Sequence, residues 1–170
     1  MKPSSTKTVR VILADDHPIL RAGIRDVLKQ MPYVELVGEA RDGREAIELV
    51  EAVRPHLVLI GISMPGLNGL EATAHITKAF PKVRVIIVSR HANLEYYRHA
   101  LRAGASGYLL KRAVIDELES ALRRVVAGEV YLSRDILARL RRKVPLDGID
   151  EVNELNRSAE PPEAPRCRPL

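Results

Sequence analysis

Residues 57–69 read Leu57-Val58-Leu59-Ile60-Gly61-Ile62-Ser63-Met64-Pro65-Gly66-Leu67-Asn68-Gly69. The first part is a short unbroken apolar run, the pattern of a strand buried on both faces of a parallel sheet. The second part turns to Ser, Pro, Gly and Asn, which is loop chemistry. Open α/β sheets place their ligands in the crevice at the carboxyl ends of their strands. Gly61 stands at such an end.

The same punctuation recurs on both sides of this stretch. Upstream, Val9–Ala14 reads as a buried strand that ends at Asp15-Asp16. Pro18 suits a first helical turn, and Leu20, Ile24, Val27, Leu28 and Met31 recur at helical spacing before Pro32. Val34–Ala40 is a second strand; Asp42-Gly43 turns into a helix whose inner stripe is Ala46, Ile47, Leu49, Val50 and Val53. The central strand is expected over His56–Ile60. Downstream, Leu70, Thr73, Ala74 and Ile76 mark a third helix, and the β-prone Val83–Val88 a fourth strand. Leu94, Tyr97, Ala100 and Leu101 give a helix ended by Gly104, and Gly107–Leu110 a short strand ending at Lys111. Ile115, Leu118, Ala121, Leu122, Val125 and Val126 form the stripe of a fifth helix, stopped at Gly128.

Strand and helix thus alternate five times. Parallel strands joined by helical crossovers are the economical arrangement for that pattern. The expected fold is α/β: a doubly wound, five-stranded parallel sheet, (βα)5, in the flavodoxin-like order 2-1-3-4-5. Residues 1–8 read as an amino-terminal arm and 9–128 as the domain. Residues 129–144 read as a linker helix, capped by Ser133 and basic at Arg139–Lys143. Residues 145–170, sparse in apolar residues and rich in Pro and Glu, read as a disordered tail.

Composition narrows the function classes. The 170 residues are 46% hydrophobic and 29% charged, typical of a soluble globular protein. With no Trp and one Phe there is little to stack single-stranded bases on. One cysteine, Cys167, excludes an internal disulfide or a Cys-based zinc cluster. No run approaches the ~20 apolar residues of a membrane span, and the amino terminus lacks a signal-peptide core, so a cytoplasmic location is expected. The net charge of +5 is uneven: residues 144–170 carry six acids and three bases, leaving the excess of bases upstream. The five histidines show no metal-binding spacing, Ser63 is not in a Gly-x-Ser-x-Gly elbow, and no Gly-rich phosphate loop follows the first strand.

What carries chemistry is a set of strand ends. Asp15-Asp16, the Gly61–Ser63 turn, Ser89 and Lys111 all come to one edge of the sheet. With Asp15-Asp16-His17-Pro18, Ser63-Met64-Pro65-Gly66-Leu67-Asn68-Gly69-Leu70-Glu71, Val88-Ser89 and Ala103-Gly104-Ala105-Ser106-Gly107-Tyr108-Leu109-Leu110-Lys111 in that order, the chain resembles the receiver domain of NarL/FixJ-type (LuxR-type) response regulators, which are CheY-like. The likeness runs over about residues 9–128. It implies two-component phosphorelay signalling and transcription regulation rather than an enzyme. Its implied site is a Mg²⁺ held by Asp16, Asp15 and the Ser63 carbonyl. A strand-end aspartate would take a phosphoryl group from a kinase histidine. Lys111 would clamp that group, Ser89 would be the switch hydroxyl and Tyr108 the switch aromatic.

Here the acceptor position is Gly61, which has no side chain to form an acyl phosphate. One expected metal carboxylate is missing too, so Mg²⁺ is expected to bind weakly or be lost, and Lys111 is expected to turn toward Asp15 or Asp16. The favoured reading is a non-phosphorylatable pseudo-receiver that works as a protein-interaction module. The alternative is a phosphoryl-accepting transcription regulator with an unconventional acceptor, or one truncated from a DNA-binding regulator. The implied partners are a sensor histidine kinase or another response regulator, with a homodimer through the fourth-helix to fifth-helix face. Residues after 144 lack the helices of a helix-turn-helix domain, so direct DNA binding is not expected, and Arg139–Lys143 would touch phosphates weakly.

Overall fold

A computed structural model describes residues 7–143. The central sheet is wholly parallel, in the order β2-β1-β3-β4-β5-β6. Its first ten elements alternate as read from the sequence: β1 Val9–Ala14, α1 Pro18–Lys29, β2 Val34–Ala40, α2 Gly43–Val53, β3 Leu57–Gly61, α3 Gly69–Ala79, β4 Arg84–Ser89, α4 Leu94–Arg102, β5 Gly107–Leu110 and, after a short 3₁₀ turn, α5 Val114–Val126. Two more follow, β6 Tyr131–Leu132 and α6 Arg134–Lys143.

Alternate strand residues feed two cores. Val11, Leu13, Leu57, Leu59, Ile86, Val88 and Leu109 face Ile24 and Leu28 of α1 and Leu118, Leu122 and Val125 of α5. Ile12, Ala14, Val58, Ile60, Val85, Ile87 and Tyr108 face the layer of α2, α3, α4 and α6. Residues 57–60 are fully buried, which is why that segment reads as a continuous apolar run rather than an alternating one. Helix starts follow local chemistry: Asp42 accepts the Glu45 N–H at 2.9 Å, and Asn68 and Glu71 form a reciprocal capping box. Gly69 is required because a Cβ there would collide with the Gly61 carbonyl, so the loop after β3 lies directly on the strand end.

Four features depart from what the sequence predicts. The sheet has six strands, not five: β6 pairs with β5 through Gly107↔Tyr131 and Tyr108↔Leu132, and β5 is therefore interior. Ser133 does not cap α6 with its side chain; its Oγ accepts the Leu110 N–H at 2.9 Å, while its carbonyl accepts the Ile136 and Leu137 amides. α6, expected as a linker helix, is not solvated on all sides. It lies against α4, with Ile136 fully buried and Leu140 packed on the core that includes Leu94, Tyr97 and Ala100. The α5 stripe is also shifted, since Ile115 and Val126 are 59% and 47% exposed while Val114 is buried. Val144 and the tail assigned to 145–170 lie outside the described residues, as do residues 1–6.

Candidate functional site

Strand register assembles the site. Ala14 pairs with Ile60, Gly61 with Val88, and Ser89 with Leu110. Asp15, Gly61, Ser89 and Lys111 are therefore successive positions across the carboxyl edge of four adjacent strands. A small hollow there is lined by Ser63, Ser89, Arg90, His91 and Lys111, among others.

Asp15 is the most enclosed acid, its side chain 2% exposed. Its Oδ1 accepts the backbone N–H of His17 at 2.8 Å and lies 3.1 Å from the His17 ring Nδ1. Its Oδ2 is 2.7 Å from Lys111 Nζ, itself only 13% exposed. The pair is charge–charge contact without hydrogen-bond alignment, since Oδ2 has no aligned donor. Arg21 anchors the same residue from α1, donating to the Asp15 carbonyl at 2.6 Å. Lys111 thus stands on Asp15, as expected for a lysine with no anion at position 61.

Gly61 explains the space for this arrangement. A Cβ built there would meet Asp15 Oδ2 at 2.5 Å, closer than any ordinary contact. The Asp15 carboxylate occupies the volume in which a side chain from β3 would begin.

Asp16 is more open, its side chain 33% exposed, and its Oδ1 lies 2.8 Å from His17 Nδ1. That oxygen is shut from solvent and accepts no aligned hydrogen bond. Asp15, Asp16 and His17 together form a cluster able to offer three ligand atoms. Two carboxylates with an unsatisfied oxygen each match the donor set of a hydrated Mg²⁺, which takes one or two carboxylates and keeps several waters. The residues fit such an ion, with Lys111 competing for Asp15.

Behind the hollow, Ser89 is 1% exposed and its Oγ accepts the His91 N–H at 3.0 Å. Tyr108, also 1% exposed, points into the α4 core, where its hydroxyl donates to the His91 carbonyl at 2.6 Å. Its ring meets Tyr97 edge-on, centroids 6.1 Å apart. Burial raises the Tyr108 pKa. His91, which the sequence treats as one scattered histidine among five, therefore bridges Ser89 and Tyr108 by its backbone while its ring stacks on Tyr96 at 4.1 Å. His17 was equally unmarked. Its place two residues after Asp15 was the available signal, because that spacing lets an Asp side chain accept a backbone N–H.

The family profile of the response regulator receiver domain matches residues 11–123. This chain belongs to the response regulator receiver domain family. It is 36% identical over 143 residues to the transcriptional regulatory protein DegU of Brevibacillus brevis, covering 82% of this chain and 61% of that protein. It is 38% identical over 130 residues to the nitrate/nitrite response regulator NarL of Escherichia coli K12, covering 76% and 60%. The chain thus spans about three fifths of these curated relatives. Among solved structures, a LuxR-family two-component response regulator from Aurantimonas aligns with a TM-score of 0.77 at 35% identity, covering 81% of this chain and 98% of that one. The isolated receiver of RcsB from Salmonella enterica serovar Typhimurium, solved with phosphomimetic BeF₃⁻, aligns at 0.73 and 28% identity, covering 78% and 98%. The receiver fold, its two-component setting and its NarL/LuxR-type relationship follow. Among the described residues, no helix is long and apolar enough to cross a membrane.

Proposed function

We propose that this receiver is a pseudo-receiver: a cytoplasmic, non-enzymatic two-component module that takes no phosphoryl group and acts by docking. The observation that carries this reading is the exchange at Gly61. Where a strand-end carboxylate would project, the Asp15 carboxylate fills the space and holds Lys111 at 2.7 Å. The lysine that would grip phosphoryl oxygens is committed to an internal anion. The acid that would serve a metal is largely neutralised, so Mg²⁺ at Asp15, Asp16 and the Ser63 carbonyl is weak.

The Ser89–His91–Tyr108 chain supports the second half of the proposal. The switch aromatic is already turned inward, held by a 2.6 Å hydrogen bond and an aromatic contact. In this reading residues 9–128 form the signalling unit and are fixed in a docking-competent shape without phosphate. The partners are a sensor histidine kinase or another response regulator, including a second copy through the α4 and α5 sides. Reading of a specific DNA sequence is not part of this function.

Intact-mass analysis after incubation with acetyl phosphate and Mg²⁺ tests the proposal. The chain should remain unmodified, and Gly61→Asp should gain one phosphoryl group. An adduct on the unaltered chain would support the alternative, a regulator with an unconventional acceptor.

A further inference from the structure

The packing of α6 on α4 creates a surface that the sequence did not disclose. Arg98 and Arg102 on α4 and Arg134, Arg139, Arg141 and Arg142 on α6 are all exposed. None of the six meets a carboxylate within ion-pair distance among the described residues. Of the two acids on these helices Asp135 is taken by Arg112, which leaves Glu95, one turn before Arg98, against six arginines. Elsewhere Arg25, Arg41, Arg123 and Arg124 each stand beside a glutamate, and exposed arginines without one, among them Arg44, Arg84 and Arg90, are scattered singly outside α4 and α6.

The surface is also without apolar anchors. The exposed large hydrophobic residues among the described ones are Ile19, Ile115 and Val126, on α1 and α5. The apolar side of α6 is consumed by the fold, since Ile136 is buried and Leu140 packs on the α4 core. A membrane-surface helix needs an outward apolar face, and a tight protein interface needs buried aromatic or aliphatic anchors. Neither is present here. Guanidinium groups without apolar company suit phosphate, which they grip in bidentate fashion. Arg134 to Arg142 spans about 12 Å of helix, against a duplex that carries one charge per about 1.7 Å of its axis.

We infer that the α4–α6 face binds the phosphate backbone of duplex nucleic acid without reading its sequence. This goes beyond the docking function proposed above, uses none of the strand-end site residues, shares only α4 with the second-copy face, and revises the expectation that DNA contact is confined to a weak terminal cluster.

Fluorescence anisotropy of the full chain on short DNA duplexes of unrelated sequence, over a range of salt concentration, tests it. Binding should be equal for all sequences and fall steeply with salt. Arg139→Gln with Arg142→Gln should weaken it about tenfold and lower the slope of log affinity against log salt by about two, one per lost phosphate contact. A charge-matched control, Arg44→Gln with Lys82→Gln on exposed positions outside α4 and α6, should leave the affinity near that of the unaltered chain. Circular dichroism confirms that both variants are folded. Absence of binding at low salt, equal losses in the two variants, or displacement by polyglutamate as effective as by DNA would each overturn the inference, the last pointing to an acidic protein partner.

Discussion

Replacing Lys111 by methionine keeps the length of the side chain and removes its charge. It leaves the Asp15 carboxylate, 2% exposed, facing an apolar group where an ammonium stood at 2.7 Å. Breaking a buried pair from one side costs about 3–5 kcal/mol, mostly the cost of the stranded charge. Asp15 keeps its bond from the His17 N–H at 2.8 Å, so the expected loss is at the lower end, about 3 kcal/mol. With a urea m-value of about 2 kcal/mol/M, the unfolding midpoint should fall by about 1.5 M. Adding Asp15→Asn removes the stranded charge, so the double variant should be more stable than the sum of the two single losses by about 1–2 kcal/mol. Urea unfolding followed by circular dichroism gives all four stabilities. A loss below about 1 kcal/mol for Lys111→Met, or strict additivity, would show that the pair is a surface-like contact and not an internal substitute for an anion at position 61.

Other outcomes follow from single contacts. Ser133→Ala deprives the buried Leu110 N–H of its acceptor and should cost about 1–3 kcal/mol in the same urea assay. Tyr131 is pushed up to about 12 by burial first, then by its hydrogen bond to Glu117 and the Glu117 charge. A folded pKa above the unfolded value of about 10 means that its contribution is complete below pH ~10 and lost as pH rises through ~12. Relative to the parent, Tyr131→Phe should therefore lose less stability between those pH values, read by denaturation at paired pH. Gly104→Ala, at φ +90° with its new Cβ 2.6 Å from Thr77 Oγ1, should be destabilising by about 1 kcal/mol or more, measured as a lower thermal midpoint.

The alternation of β1 to α5 was legible because each strand is either continuously apolar or ended by a turn residue, and each helix carries a 3.6-residue stripe. β6 was not legible. Two residues, Tyr131 and Leu132, cannot display an alternation, and they become a strand only because β5 offers an unpaired edge. The misread of α5 has a related cause: Val114 and Ile115 are adjacent and equally apolar, and only the packed partner decides which turns inward. In the site, positions were readable because every polar residue stands at a strand end. The union of Lys111 with Asp15 followed from charge once position 61 was empty of it. The role of His91 was hidden because it reaches Ser89 and Tyr108 through its backbone, which no side-chain pattern encodes, and His17 divides its part between its backbone N–H and its ring.

The central claim is that position 61 makes no bond to phosphorus. Its most direct test is incubation with a histidine kinase carrying radiolabelled phosphohistidine, followed by denaturing electrophoresis. No label should move to the unaltered chain, while Gly61→Asp should become labelled as the kinase loses its own. Label on the unaltered chain, at any residue, would contradict the account.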